Sequence, residues 1–381
     1  MTRASAAERQ RLHETFAALC AIESPSGHER RCADWVSDFL RGLGLEVIED
    51  DSAAAAGSDA GNLLARIEGR SDQSVLLCAH LDTVPLAAPV VPQLTGGVWH
   101  NANAGILGAD NKTAVAAILE LARRIITAAE PPPIAVELLF TVCEEVSLRG
   151  SREFDVSRLR SGFGFVFDHA TPVGGIVIAS PTHYRIDARL HGRAAHAGVR
   201  PEQGRSAIAA AAGAVAAMQL GRLDEETTAN VGVIEGGSAI NVVPENCRIV
   251  AEARSLNAER ASAVATEIVD RLQDAADGGE CDLDIELERM FAGYRVAARE
   301  PQLAVAERAL AARGFRPSRI ESGGASDANS FVAAGLPCIC LADGVQENHE
   351  PTERVAAQTL EDLLDVGIAV VDESAIELGA R

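Results

Sequence analysis

The 381-residue sequence is short of basic charge, of long apolar runs and of organised cysteine, and each shortage removes a class of function. Lys and Arg number 34 against 55 Asp and Glu, a formal charge of −21. A field of that sign repels phosphate backbones and anionic lipid, so neither a nucleic acid nor a membrane is an expected partner. No stretch reaches the roughly 18 apolar residues of a membrane span, and Met1 to Gln10 lacks the apolar centre of a secretory signal. Together these point to the cytoplasm. The eight cysteines, at 20, 32, 78, 143, 247, 281, 338 and 340, have neither disulfide-framework nor zinc-knuckle spacing. They lie mostly in apolar runs such as Leu77-Cys78-Ala79 and are expected to be buried small hydrophobes in a reducing compartment. Internal repeats and low-complexity tails are also missing. What remains is an ordinary globular composition, 47% hydrophobic and 23% charged. The length allows two or three domains, or one large domain with an insertion.

The texture of the chain changes twice. Up to residue 179, and again from 294, helix-periodic segments alternate with short apolar strands. Helices are predicted over 6–22, 29–43, 112–129 and 301–313, and strands over 62–68, 75–79, 134–142, 163–167 and 337–341, with a final helix after Glu353. This alternation predicts an α/β catalytic domain on a mostly parallel, doubly wound sheet, discontinuous over 1–179 and 294–381. Between them, Tyr184 to Leu190 and Cys281 to Glu288 alternate strictly, two more strand segments lie near 229–235 and 247–253, and helices are predicted over 205–220 and 257–275. Four half-wet antiparallel strands and two helices predict an inserted α+β domain over 180–293.

Chemistry gathers where the apolar strands stop. The run Leu76-Leu-Cys-Ala-His80-Leu-Asp82-Thr-Val-Pro85 ends in an imidazole and, two positions on, a carboxylate. Period two puts both on one side of the backbone. Asp82 can there orient His80 as the partner of a metal-bound imidazole or within a hydrolytic triad. Alone, the stretch is as readily a polar strand end closing into a proline turn. Strand 134–142 runs into Cys143-Glu144-Glu145, strand 163–167 into Asp168-His169, and strand 337–341 is again followed by a histidine, His349. Asp110 and Asn111 read as caps of the helix that follows them. A doubly wound sheet brings these positions to one edge. Two histidines and three carboxylates, His80, Asp110, Glu145, Asp168 and His349, exceed the need of one tetrahedral ion and suffice for two that share a carboxylate. Imidazole plus carboxylate, without a usefully spaced thiolate, suits Zn2+, Co2+ or Mn2+. Glu144, beside a ligand but not needed as one, is the candidate base. His13, His28, His100, His169, His183 and His191 read as surface or packing residues.

Several motifs, taken in order, cover nearly the whole chain: Ala79-His80-Leu-Asp82-Thr-Val-Pro85, Gly108-Ala-Asp110-Asn-Lys112, Thr141-Val-Cys-Glu144-Glu145, Phe167-Asp168, Ala195-His196-Ala-Gly198, Asn241-Val-Val-Pro244, Gly323-Gly-Ala-Ser-Asp327-Ala-Asn329 and His349-Glu-Pro-Thr-Glu353. The set resembles the dinuclear zinc exopeptidase and aminoacylase superfamily, metallopeptidase family M20, and most closely its peptidase T-like branch. The resemblance implies that Asp110 bridges two metal ions, with His80 and Asp168 on one and Glu145 and His349 on the other. It implies that Asp82 orients His80, which sets the triad reading aside, and that Glu144 activates the bridging water. His196 would polarise the scissile carbonyl, in some dimeric relatives from the partner subunit; Asn241, Arg254 and the Gly323-Gly324 backbone would contact the substrate carboxylate. Simpler alternatives are an exposed loop residue for His196 and an ion pair inside the inserted domain for Arg254. That domain would serve as a lid and mediate a homodimer. The expected activity is hydrolysis of di- and tripeptides. Removal of an acyl group from an N-acyl amino acid would use the same metal centre, and a non-catalytic binding protein on this fold would lack a ligand or Glu144, none of which is missing.

Overall fold

A computed structural model describes residues 2–380 and divides into two compact units, one of Met1–Ile178 with Val296–Arg381 and one of Ala179–Arg295. The first is built on four parallel strands in the order Ala135–Thr141, Ser74–His80, Gly164–His169 and Cys338–Ala342. Antiparallel strands extend this centre, with Leu63–Ile67 and then Val47–Glu49 on one side and Gly175–Ser180 on the other. Ser74–His80 and Ala135–Thr141 are buried along their whole length, as parallel strands covered on both faces must be. Successive side chains show the covering. Leu77 lines a small cavity with residues of the helices Ala109–Ile126 and Ala357–Glu377, while its neighbour Cys78 turns to Asp327 at the head of the helix Asp327–Ala333. At Gly164 a Cβ would stand 2.9 Å from Cys338 Sγ and 3.0 Å from Leu76 Cβ, so only glycine lets these three strands approach. All eight cysteines are free and buried. No helix among the described residues is long and apolar enough to cross a membrane.

Register decides where the strands stop. His80 pairs with Thr141 and Ala342 with His169. The carboxyl ends therefore reach one edge together, and whatever follows each strand is delivered there. Near these strand ends the structure departs from the sequence reading. The stretch after Pro85, where the sequence reading places no element before the helix over 112–129, contains the hairpin Pro92–Thr95 and Val98–Asn101, turned on Gly96 and Gly97 at φ 60 and 82, and Arg354–Ala356 joins it as a third strand. Four-residue strands are too short to display a period. Asp110 and Asn111 do not cap their helix: its N-cap is Gly108, at φ 74, and both residues have non-helical dihedrals.

The second unit is an antiparallel sheet in the order Gly221–Arg222, Thr227–Gly236, Asn246–Ser255, Thr182–His191 and Asp282–Phe291, packed against the helices Ala207–Ala217 and Ala258–Gly278. Ile186, Ala188 and Leu190 join Ile249, Ala251 and Ala253 in its core with Ala211, Val264 and Ile268 from the helices. Arg185, Asp187 and Arg189 alternate to the other face. The sheet has five strands where the sequence predicts four; the extra one is two residues long and carries no pattern.

One buried amide ties the sheet of the first unit to the segment leading into Glu144. Asn62, fully buried, donates to Asp50 Oδ2 (2.9 Å), Ser52 Oγ (3.0 Å) and Gly150 O (2.9 Å), and accepts from the Val142 N–H (3.2 Å). Asn62→Ala removes the partner of two backbone groups, at a cost of about 1–3 kcal/mol for each group left unpaired. A lower urea-denaturation midpoint is expected, and an unchanged midpoint would remove Asn62 from this role.

Candidate metal centre

Strand ends, one helix start and one loop supply the cluster. His80 closes Ser74–His80, Glu144 and Glu145 follow Ala135–Thr141, Asp168 lies at the end of Gly164–His169, Asp110 opens Ala109–Ile126, and His349 lies beyond Cys338–Ala342. His80 Nε2 stands 3.2 Å from Asp110 Oδ1 and 3.4 Å from Asp168 Oδ1. His349 Nε2 stands 3.4 Å from Asp110 Oδ2 and 3.0 Å from Glu145 Oε2. Two three-donor groups result, His80–Asp110–Asp168 and Asp110–Glu145–His349, each with its donor atoms within 4.8 Å of one another. Asp110 faces one histidine with each of its oxygens.

An ion held tetrahedrally at about 2.0–2.1 Å from N and O donors has donor–donor edges of about 3.3–3.4 Å. The separations of 3.0–3.4 Å fit those edges. One imidazole and two carboxylates per group are the donor chemistry of a divalent first-row ion. The geometry and donor chemistry of the cluster fit a divalent metal ion.

Burial and neighbouring charge set the protonation of the metal-free cluster. Burial pushes the Asp168 carboxyl up to about 7, with His80 opposing. Burial, and after it Asp168, pushes Glu144 well above the carboxylate range. Burial pulls the His80 imidazole down, but Asp168, Asp110 and Asp82 outweigh it and hold it well above its ordinary value. Hydrogen bonds with Asp110 and then Glu145 lift His349 to about 10. Burial would raise Asp110, yet His349 and His80 hold it far below its usual range.

Asp82 touches more than the imidazole. His80 Nδ1 lies 3.0 Å from the backbone oxygen of Asp82 and 3.4 Å from its Oδ1. The carboxylate accepts the backbone N–H groups of Glu144 (2.9 Å) and Glu145 (3.1 Å) and the Ser26 hydroxyl (2.7 Å). One side chain thus sets the approach of both strands to the site. Glu29, fully buried, accepts the Cys143 N–H (3.1 Å) and the Ser58 hydroxyl (2.5 Å), and Cys143 takes a positive φ of 53 just before Glu144. Asn111 Nδ2 donates to Asp168 Oδ1 (2.8 Å). Ser26, Glu29 and Asn111 are absent from the residues predicted for the site, Asn111 entering the sequence reading as a helix cap and within the motif Gly108 to Lys112. The loop Ser24 to Gly27 carries turn signals alone, and an acid ahead of a helix is ordinary.

Gly323 and Gly324 lie in the turn before Asp327–Ala333; Gly323 is exposed, and the Gly324 N–H donates to Ser322 Oγ (3.0 Å). In the second unit, His196 and Asn241 are exposed on facing segments: His196 bridges Val242, and the Ala197 N–H donates to Asn241 O (2.9 Å). Arg254 pairs with Glu252 (3.0 Å). Glu252 also lies 3.1 Å from His183 Nε2 and is held down to about 2, by His183 first and by Arg254 against the effect of burial.

The metal-free cluster should respond to pH. Asp168 stands at about 7 against an ordinary 3.8, and His349 at about 10 against 6.5. The folded state therefore binds more protons than the unfolded one, and the stability these protons give is lost as pH rises through those values. Metal-stripped protein is expected to melt at falling temperature as pH rises from about 4 to 10, through Asp168 between about 4 and 7 and through His349 between about 6.5 and 10, with a flatter profile in excess divalent metal. Thermal melts with and without chelator measure it; parallel profiles would contradict the charge balance described.

Known proteins share this architecture. Residues 182–280 match the family model of the M20 peptidase dimerisation domain, and residues 62–169 that of peptidase family M28. The chain is 35% identical to the aminopeptidase PepT of Bacillus cereus, covering 96% of this chain and 99% of that one, with a TM-score of 0.86. It is 32% identical to a tripeptidase of Staphylococcus aureus, covering 97% and 99%, with a TM-score of 0.91. YqjE, an uncharacterised protein of Bacillus subtilis, is 34% identical over 96% of this chain and 99% of its own. Likeness that runs through both units and spans the donor cluster settles the kinship: the chain belongs to the M20 metallopeptidase superfamily.

Proposed function

We propose that the protein is a dinuclear metal-dependent exopeptidase that hydrolyses short peptides, with Zn2+ as its metal. The observation that carries this reading is Asp110, which offers one oxygen to His80 and the other to His349 in a chain alike over its full length to an aminopeptidase and a tripeptidase. In this reading Asp110 would be shared by two ions, with His80 and Asp168 holding one and Glu145 and His349 the other. Co2+ or Mn2+ suits the same donors, with availability deciding. When bound, such an ion pair polarises an amide carbonyl and makes water acidic enough to attack it.

The chain's own part is proton transfer and positioning. Glu144, buried beside the cluster, takes the proton from the attacking water and returns it to the leaving nitrogen as the C–N bond breaks. Asp82 holds the segment that carries this base through the N–H groups of Glu144 and Glu145. His196 is assigned to the charge developing on the scissile carbonyl, and Asn241, Arg254 and the Gly323-Gly324 backbone to the substrate carboxylate. The unit Ala179–Arg295 is assigned to a lid and to homodimer contacts, a role supported by the dimerisation-domain match over 182–280.

Metal analysis followed by a panel of di- and tripeptides and N-acetyl amino acids tests the substrate class. Turnover of peptides with a free α-amino group is expected, and turnover confined to N-acyl amino acids would mean a deacylase instead. Glu144→Gln is expected to lower kcat by about 10²–10⁴-fold while metal content is retained. Near-normal turnover in that variant would take the base role away from Glu144.

A further inference from the structure

The segment from Asn348 to Glu353 carries His349, but two of its other side chains reach Asp110. Glu353 is 2% exposed, and its carboxylate accepts three backbone N–H groups, those of Leu107 and Gly108 on Oε2 (2.7 Å each) and that of Asp110 on Oε1 (2.9 Å). Asn348 Nδ2 donates to Asp110 Oδ2 (2.9 Å). Asp110 is therefore held by its peptide nitrogen and by its carboxylate from a single segment. The N–H groups that Glu353 collects belong to the turn that opens a helix, where no preceding helical turn offers carbonyl partners. With Gly108 at φ 74 and Asp110 outside helical dihedrals, the helix does not itself fix where Asp110 sits.

We propose that Glu353 and Asn348 are positioning residues for the shared carboxylate and thereby for the retention of both metal ions. Glu353 sets the backbone from which Asp110 projects, and Asn348 sets the rotation of its carboxylate. Asp110 is the donor common to both three-donor groups, so a shift there is felt at both. Because Glu353 lies four residues after His349, the same segment supplies a ligand to one group and the hold on the ligand shared by both. A buried acid that merely stabilised a turn would lower the melting temperature and leave metal affinity alone. The inference rests on the two-ion reading above.

Isothermal titration of Zn2+ into the metal-stripped full chain separates these cases. Glu353→Gln keeps the size of the side chain and one acceptor oxygen, but sets an amide NH2 against a backbone N–H. Its affinity for metal is expected to fall about 10- to 100-fold, with Asn348→Ala moving in the same direction by less. Two equivalents bound by Glu353→Gln at wild-type affinity would overturn the inference alone. An unmodified protein taking up fewer than two would sink the two-ion reading and this inference with it. Should Glu353→Gln fail to fold by circular dichroism, Asn348→Ala decides: the side chain is half-buried, and wild-type affinity in that variant overturns the proposal.

Discussion

Carboxylates packed at the carboxyl edge of four parallel strands dominate the first unit. Asp82, Asp110, Glu144, Asp327 and Asp343 are each less than a tenth exposed, and His80 lies among them at 1%. Charge at such density, shielded from water, must be met by hydrogen bonds, protons or cations. The structure supplies the first in quantity: Asp82 collects two backbone N–H groups and a hydroxyl, and Asp343 accepts the Val345 N–H. Protons are retained as well, since burial pushes Asp343 and Glu144 well above the carboxylate range. The two histidines supply charge only while they stay protonated. The remaining imbalance is what a pair of divalent ions would neutralise, and the spacing of the donors suits them.

The way the donors are mounted follows from the same constraint. His80 and Asp168 sit on strands paired to neighbours on both sides, so the sheet itself limits their movement. The site residues that leave the sheet after Ala135–Thr141 are braced differently. Glu144 and Glu145 are anchored through their backbone on Asp82, and the preceding turn is anchored on Glu29 and Asn62. Bracing of this kind keeps a site organised without backbone regularity, because every anchor is a buried polar group whose release would leave an unpaired donor or acceptor.

The fold class is legible because parallel strands buried on both faces are nearly all apolar, Glu137 of Ala135–Thr141 being buried against Arg66, whereas strands with one wet face must alternate. Ala135–Thr141 and Thr182–His191 show the two patterns, and they fall in different units. The donor types are legible for a related reason: an apolar strand that stops at an imidazole or a carboxylate is conspicuous. The bracing residues are not. Glu29, Asn62 and Ser26 look in sequence like a helix-flanking acid, a strand-edge amide and a turn serine, and their partners lie 114, 80 and 56 positions away. The hairpin on Gly96 and Gly97 and the strand Gly221–Arg222 are hidden by brevity, since two to four residues cannot express a period.

By itself, then, the sequence determined which strands would be buried on both faces, which would be wet on one, and which kinds of donor would stand at their ends, because burial and periodicity are local properties. Tertiary structure decided the rest. Pairing register brought His80 level with Thr141 and Ala342 level with His169. Buried hydrogen bonds between distant segments turned Asp110 away from the helix-capping role that its neighbours in sequence imply and set it between two histidines. No local pattern encodes such a position, because the groups that fix it are adjacent only once the chain has folded.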